Sequence, residues 1–419
     1  MPKASLPLRN LRGTLIVLIL SFHSFSAYIV SQPAHPLAFD SAHYDGWRAF
    51  PIIDNERWIG FDVFCAFQFL YLMQLMFFLS GLFVWPSLLH KGWKSFLGHR
   101  ILRLGVPFML GTYLLMPVAF YPVFRVTAVD PSWSSFWSHW SALPITPSGP
   151  MWFLWFLIAL NIGAAVLFRL APSTSHFLAP LFAKAVGRAH TGGFFIVVIC
   201  VSAVAYFPLS AIYPPWKWVG FGPFEFHPVF APQFIIYFFL GLAVGACGYE
   251  RGLLYVNGML APRWAMWVIG SFASFLLWVI LTLLIMKVPG ASAAGLRVAG
   301  DVGLVIFVGA ACFSMTAVFM RFATVRWPII DSISENAYGI YFFHYVFVLW
   351  LQFTLLGLAI PAIGKGLVVL IVTLILSWAA SVGTNRILAS TRLLLGREAI
   401  LFRAPSTGSG RVSETQFSD

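Results

Sequence analysis

The chain has 419 residues, of which 60% are hydrophobic and only 10% carry a charge. A water-soluble protein cannot bury that much apolar surface, so the composition excludes an ordinary soluble enzyme and predicts a polytopic membrane protein. The formal net charge of +12 does not indicate nucleic-acid binding, because basic residues accumulate on the cytoplasmic loops of membrane proteins.

Ten apolar segments of about 20 residues follow one another along the chain. An even number of spans puts both termini on one side, and a cytoplasmic location gives that side most of the 26 lysines and arginines. The sequence therefore predicts an all-α bundle of about ten transmembrane helices with both termini in the cytoplasm. The predicted spans are residues 11–30, 60–86, 104–124, 151–170, 193–208, 229–248, 264–287, 298–320, 336–357 and 366–388.

Two units are predicted from this pattern. Residues 1–388 form the membrane domain, and residues 389–419, which are polar and unpatterned at their end, form a cytoplasmic and partly disordered tail. The four cysteines all lie in apolar segments without the spacing of metal ligands, so we expect packing thiols and no metal site.

Arg12 and His23 lie on one face of the first predicted span. They are eleven residues apart, which is three helical turns plus about 20° and about 16 Å along the axis. With Arg12 at the cytoplasmic headgroups, His23 lies near the middle of the bilayer, where a titratable side chain is expensive and by default functional. Because histidine can act as a general base near neutral pH, we expect His23 to be catalytic.

Two further arginines lie between the second and third predicted spans. Arg100 and Arg103 share a helical face, and guanidinium groups bind phosphate well, but the pair taken alone is more typical of an ordinary positive loop. Together with Arg12 and His23 the pair fits a ligand with a polyphosphate head and a long thin arm. Acyl-CoA is such a ligand, so we expect the three arginines to bind its head and His23 to meet its thioester.

Several other polar residues leave two interpretations open. His344 could support the acyl donor or be hydrogen-bonded within the bundle. Asp62 and Asp301 could bind acceptor hydroxyl groups or orient the histidine, and interfacial carboxylates are the alternative. Glu335 and Asn336 are predicted to cap the ninth span.

The aromatic and polar residues of the outer loops are also ambiguous. Tryptophans at span ends are normally interfacial anchors, although a platform for a sugar ring is the alternative. Glu225 and His227 could be solvated or functional. The tryptophans concerned are Trp133, Trp137, Trp216 and Trp218.

Five motifs occur in a fixed order along the chain. Arg12 is followed by His23 in the first span, FFLSGLF contains Ser80, and FLGHRILRLGVP matches the pattern FLxxRxxRLxxP. MWFLWFLIAL contains Trp152, and NAYGIYFFHYVF contains His344. In these motifs the chain resembles the acyltransferase-3 family of integral membrane acyltransferases, over residues 12 to about 350.

The resemblance implies transfer of an acyl group from cytoplasmic acyl-CoA to a hydroxyl group of a carbohydrate presented across the membrane. Acyl-CoA is then a co-substrate, and no tightly bound cofactor is expected. The chain resembles the glucan biosynthesis protein C group in particular, which implies a succinyl group, a periplasmic glucan and the bacterial inner membrane. His344, Asp62, Trp152 and Ser80 would support His23. A transporter or flippase for an anionic or glycan substrate is the alternative, but transporters often show internal repeats and none is found.

Overall fold

The computed structural model of the protein describes residues 5–39, 44–170, 191–215, 217–248, 253–254, 260–287 and 294–401. Helices make up nearly all of this part of the chain. They are α1 Ser5–Phe25, α2 Tyr44–Ala49, α3 Ile59–Leu82, α4 Val84–Arg100, α5 Val106–Leu110, α6 Met116–Thr127, α7 Trp133–Ala142, α8 Trp152–Leu170, α9 Thr191–Ser210, α10 Ala231–Cys247, α11 Trp264–Lys287, α12 Ala294–Phe322, α13 Pro328–Thr354 and α14 Ala362–Leu401.

The structure confirms an all-α polytopic bundle, and each of the ten predicted spans falls on helix. Eight helical segments of the described residues are long and apolar enough to cross a membrane. The sixth and ninth predicted spans are not among them: α10 has only 17 residues, and α13 carries tyrosine, histidine and glutamine along its apolar face.

The helical segment from Val84 to Thr127 is longer than the predicted third span. It bends at Gly92, whose φ of 71° is accessible to glycine because glycine has no Cβ atom. Beyond this bend the helix contains two π-helical turns, Ile101–Gly105 and Gly111–Leu115. Such turns widen a helix locally and often occur at functional sites. The first of them contains Arg103 and the second faces α13.

Two helices at the centre of the bundle approach each other through glycines. A Cβ atom on Gly81 of α3 would lie 2.1 Å from the carbonyl oxygen of Phe238, and one on Gly241 of α10 would lie 2.0 Å from that of Phe78. Gly245, four residues after Gly241, has the same relation to α3. Small residues at this spacing let the backbones of membrane helices pack closely, which fixes α3 against α10.

Helix α1 packs against α3, α12, α13 and α14, so its residues face the interior of the bundle. Gly13 allows the closest of these contacts, because a Cβ atom there would lie 2.2 Å from Ser334 Oγ of α13. Ser334 Oγ donates a hydrogen bond to the carbonyl oxygen of Arg9, and Arg9 forms an ion pair with Asp331. These contacts fix the register between α1 and α13, the two helices that carry the predicted histidines.

A short hairpin interrupts the helices on the predicted outer side. Strands β1 Val219–Phe221 and β2 Phe224–Phe226 pair antiparallel, with Gly220 opposite Glu225, and Gly222 occupies the turn with a φ of 56°. Phe224 packs against Phe108 of α5 with 5.6 Å between ring centroids. The tip of the hairpin is exposed, as Phe221 and Phe224 show, whereas Glu225 is buried.

The start of the ninth predicted span differs from the structure. The ninth span was expected to begin at residue 336, but α13 begins at Pro328, a residue whose fixed φ suits the first helical turn. Glu335 and Asn336 therefore lie inside the helix and are not caps. Helix α14 extends to Leu401, so the described residues include the first part of the predicted tail. Residues 402–419 lie outside the described part of the chain.

Candidate active site

His23 faces an internal cavity of about 110 Å³. It lies two residues before the end of α1 and eighteen residues after Ser5. Other walls of the cavity come from Arg48 of α2, Trp152 of α8 and the hairpin residue Glu225. His23 is thus not turned toward lipid but toward groups that arrive from the outer segments.

The backbone around His23 is held by α13. Gln352 donates a hydrogen bond of 2.8 Å to the carbonyl oxygen of His23, and Ser26 Oγ donates a second one of 2.8 Å to the same oxygen. These bonds satisfy a carbonyl that the end of α1 leaves without an intrahelical partner. They fix the position from which the imidazole enters the cavity.

The ring of His344 on α13 packs against the ring of His23. The ring centroids are 5.3 Å apart, and His344 is fully buried. Its Nδ1 atom donates to the carbonyl oxygen of Tyr341 at 2.5 Å, because a carbonyl can only accept, so Nε2 carries a lone pair. That Nε2 atom has no hydrogen-bond partner among the described residues. His344 is sixteen residues, about 24 Å, from the start of α13.

Arg48 and Glu225 form an ion pair in the cavity wall. Glu225 also accepts hydrogen bonds from the backbone nitrogen of Ser148 at 3.2 Å and from its hydroxyl group at 3.3 Å. Burial raises the pKa of Glu225, and the charge of Arg48 opposes this shift. Arg48 in turn contacts Asp45 at 2.5 Å, and Lys217 contacts Asp45 at 3.1 Å. The outer wall therefore contains a chain of alternating charges.

Two indole rings complete this wall. The rings of Trp152 and Trp218 are nearly perpendicular, at 78°, with 6.1 Å between their centroids. Trp218 also packs on His227 at 3.8 Å, and His227 is almost completely buried. Burial lowers the pKa of His227 to about 4, so this histidine is neutral at neutral pH. The cavity thus combines apolar ring faces with one ion pair.

Arg12, Arg100 and Arg103 form a separate cluster, about 16 Å from His23 along α1. The charges of Arg12 and Arg103 are close enough to repel each other, and so are those of Arg100 and Arg103. Among the described residues, the guanidinium group of Arg12 donates a hydrogen bond only to the carbonyl oxygen of Ser334, at 2.8 Å. Within the described ranges no carboxylate pairs with any of the three, whereas the neighbouring Arg9 is paired with Asp331. An uncompensated cluster of guanidinium groups is suited to binding an anion.

The comparison with protein families agrees with this arrangement. The family model described as an acyltransferase domain matches residues 8–382. The chain belongs to the acyltransferase-3 family. No curated protein and no solved structure matches it. The matched region lies within the predicted membrane domain and includes both the arginine cluster and the His23 cavity. The membership confirms that the protein is a membrane acyltransferase and favours an enzyme over a transporter or flippase.

The structure brings some of the predicted supporting residues of this acyltransferase to the cavity but not others. Trp152 lines it and His344 lies against His23. Asp62 instead accepts hydrogen bonds from the backbone nitrogens of Val30 and Ser31, and so holds the chain that follows α1. Ser80 Oγ donates to the carbonyl oxygen of Met76 within its own helix. Asp62 and Ser80 do not line the cavity.

The tryptophans of the predicted platform are also separated. Trp218 lies in the cavity wall, but Trp133 and Trp137 lie on α7, where both are about half exposed. Trp216 lies outside the described residues. Asp301 accepts a hydrogen bond from Ser210 Oγ and does not line the cavity. Among the described residues there is no group of three or more His, Cys, Asp or Glu side chains that could hold a metal ion.

No sequence pattern identified Arg48 as a cavity residue, and the sequence left open whether Glu225 is solvated or functional. Both belong to polar outer segments, where most charged residues are solvated. A usable signal was the short pattern FGPFEF, in which a glycine turn between aromatic residues is typical of a hairpin. The pattern predicts that Glu225 lies on a strand, but it does not predict where the hairpin docks.

Proposed function

We propose that this acyltransferase moves an acyl group from cytoplasmic acyl-CoA to a hydroxyl group of an envelope carbohydrate, with His23 as general base. The observation that carries the proposal is the position of His23 on α1. It shares a helical face with the unpaired Arg12 and at the same time lines a cavity built by outer segments. The side chain of His23 therefore lies between a candidate anion site and a candidate acceptor site.

Acyl-CoA is proposed to bind with its phosphates at the arginine cluster. Arg12 and Arg103 are exposed, and Arg100 is partly buried with its guanidinium group over the ring of Phe96 at 5.2 Å. Tyr338 Oη donates to the carbonyl oxygen of Arg103, which ties α13 to the first π-helical turn. Phosphate groups of the donor would neutralise the mutual repulsion of the arginines, which gives the donor a binding energy that an uncharged ligand lacks.

A stripe of tyrosines marks the proposed path of the acyl arm. Tyr338, Tyr341 and Tyr345 follow one another on one face of α13 at spacings of three and four residues. The first contacts Arg103, and the other two line the cavity with His23. The stripe therefore connects the arginine cluster with His23 alongside the matching face of α1. An arm laid along it would bring the thioester to the imidazole.

The reaction at His23 is an acyl transfer. The imidazole of His23 takes the proton of the acceptor hydroxyl group as its oxygen attacks the thioester carbonyl carbon. An ester bond forms, the carbon–sulfur bond breaks, and the imidazolium returns the proton to the leaving thiolate, which gives free CoA. His344 Nε2 is proposed to accept a hydrogen bond from the distal N–H of His23 and so to orient the ring. The ring centroids are 5.3 Å apart, so the two imidazoles are close enough for such a bond once the ring of His23 turns its N–H group toward His344.

Replacement of the histidine tests the proposal. Purified protein in proteoliposomes is incubated with labelled acetyl-CoA or succinyl-CoA and with envelope glycans, glucans among them, and acylated products are measured by mass spectrometry. His23→Ala is expected to lower kcat about 10²- to 10⁴-fold, the usual contribution of general-base catalysis. The matched control is His35→Ala, since His35 is exposed in the same outer region. Full transfer by the His23→Ala protein would overturn the proposed mechanism.

The same assay separates the finer parts of the proposal. Succinyl transfer to a glucan is the combination that the resemblance to the glucan biosynthesis protein C group suggests. Transfer of a different acyl group, or to a different glycan, would reassign the substrates and leave the role of His23 in place. A location in the bacterial inner membrane belongs to the same proposal and is tested by fractionation of the native membranes.

A further inference from the structure

The cavity beside His23 contains charges, but each of them has a partner. Glu225 is paired with Arg48, Arg48 also contacts Asp45, and Asp45 contacts Lys217. Two anions thus alternate with two cations. The pair that lines the cavity, Arg48 and Glu225, is also the most buried part of this chain, with side chains 10% and 7% exposed. The described outer wall therefore presents no uncompensated charge to a ligand.

This arrangement is the opposite of that in the arginine cluster. The cluster is formed by Arg12, Arg100 and Arg103, for which the described residues supply no carboxylate. An anionic ligand lowers the energy of the cluster because its negative charge offsets the mutual repulsion of the arginines. An anion in the cavity would instead meet Glu225, or would have to displace it from Arg48. Breaking a buried pair is costly because it leaves one charge without a partner.

Glu225 is also held in place from a second direction. Both the backbone nitrogen and the hydroxyl group of Ser148 donate to its carboxylate, and its backbone oxygen accepts from Trp155 Nε1 at 3.0 Å. Displacement of Glu225 would break these hydrogen bonds as well as the ion pair. The carboxylate is therefore a fixed part of the wall and not a side chain that swings aside for a ligand.

We propose that the cavity binds an uncharged pyranose unit of the acceptor and that the Arg48–Glu225 pair excludes anionic sugars such as uronic acids. The proposal rests on the proposed function, whose acceptor it specifies. Trp152 and Trp218 line the cavity and supply apolar ring surface against which the sugar can pack. Glu225 accepts hydrogen bonds from sugar hydroxyl groups and Arg48 donates to them, while His23 receives the reacting hydroxyl group. A few polar groups in a mostly apolar cavity are typical of sites that select an orientation of the ligand.

The proposal is tested with matched acceptors that differ in charge. Wild-type protein is given acyl-CoA and either an uncharged hexose oligosaccharide or the corresponding oligosaccharide of uronic acids, for example mannan against polymannuronate fragments. Hydroxyl groups remain available at carbons 2 and 3 in both. We expect kcat/KM to be at least about tenfold higher for the uncharged acceptor, because like charges in a buried site repel strongly.

Two variants remove a carboxylate from the charged chain. Glu225→Gln keeps the shape of the side chain, and Asp45→Asn leaves Glu225 in place and removes the second partner of Arg48. Glu225→Gln is expected to lower the preference for the uncharged acceptor at least about tenfold, since it removes the carboxylate that lines the cavity. Asp45→Asn is expected to lower the preference by a smaller factor, because Arg48 stays paired with Glu225. Asp45→Asn keeps the test usable should Glu225→Gln fail to fold. The control is Glu56→Gln, because Glu56 is an exposed carboxylate of the same outer segment and does not line the cavity.

The outcomes separate this inference from the proposed function. A wild-type protein that acylates uronic-acid oligosaccharides as well as uncharged ones would overturn the inference alone. An unchanged preference in both Glu225→Gln and Asp45→Asn would do the same. Failure of the wild-type protein to acylate any carbohydrate would overturn the proposed function, and the inference with it.

Discussion

Replacement of His344 tests whether this residue orients His23. Its Nδ1 atom donates to the carbonyl oxygen of Tyr341, and its Nε2 atom has no hydrogen-bond partner among the described residues. The ring of His23 lies 5.3 Å away, measured between centroids. His344→Asn places an amide at the δ position, so it keeps the bond to Tyr341 and loses the acceptor. His344→Gln carries an amide oxygen at the ε position and restores it. The two variants therefore separate the contact to His23 from the contact to the backbone.

The size of the effect follows from one hydrogen bond. A neutral hydrogen bond is worth about 1 to 1.5 kcal/mol, which corresponds to about a 5- to 12-fold change in rate. We expect His344→Asn to lower kcat by this factor with little change in the KM for acyl-CoA, and His344→Gln to recover most of the loss. The assay is steady-state acyl transfer by purified protein, with thermal unfolding of both variants as the measure of stability.

Three results would contradict this role. His344→Asn with the turnover of the wild-type protein would show that His23 needs no orienting partner. Equal losses in the Asn and Gln variants would show that the ring is needed for packing. A loss confined to KM would place His344 at the acyl donor, since KM changes without kcat changes report binding alone.

Two further predictions concern the arginine cluster and the hairpin. Arg12→Ala is expected to raise the KM for acyl-CoA about 10- to 150-fold, which corresponds to the loss of about 1.5 to 3 kcal/mol of charged hydrogen bonding. The control variant Arg9→Ala should leave this KM unchanged, because Arg9 is paired with Asp331. A fall in turnover at constant KM would place Arg12 outside the donor site. Burial lowers the pKa of His227 from the ordinary 6.5 to about 4. Between pH 6.5 and 4 the unfolded chain therefore binds more protons than the folded protein, and the free energy of unfolding falls as the pH drops through this range. Thermal unfolding at several pH values should show that His227→Gln removes up to about 3 kcal/mol of this dependence, and parallel curves for the two proteins would refute it.

The two candidate sites of this acyltransferase differ in how their charges are compensated. Arg12, Arg100 and Arg103 repel one another and lack described carboxylate partners. Arg48 and Glu225 neutralise each other. A protein that brings an anionic donor and a different acceptor to one histidine benefits from this difference, because each ligand is disfavoured at the site of the other. This difference in charge compensation is the proposed reason why the donor and the acceptor bind at different sites.

The sequence alone determined the features that depend on local periodicity. The apolar segments predicted ten helices, and the spacing of eleven residues put Arg12 and His23 on one face, because side-chain direction repeats every 3.6 residues within a helix. The motifs predicted the acyltransferase-3 family, which the family comparison confirmed over residues 8–382. Where a local signal was overlooked, as at Pro328, the start of the helix was predicted eight residues too late.

Only the tertiary structure decided which outer residues reach His23. Arg48 and Glu225 are 177 positions apart. They meet because the hairpin that carries Glu225 docks against α5 and α8. Likewise His23 and His344 belong to helices whose register is fixed by the contact of Gly13 with Ser334. Such contacts depend on the packing of surfaces distant in sequence, and no periodicity within one segment encodes them. Composition and periodicity thus gave the helices and the faces they share, while packing brought the ion pair and the second histidine to the first.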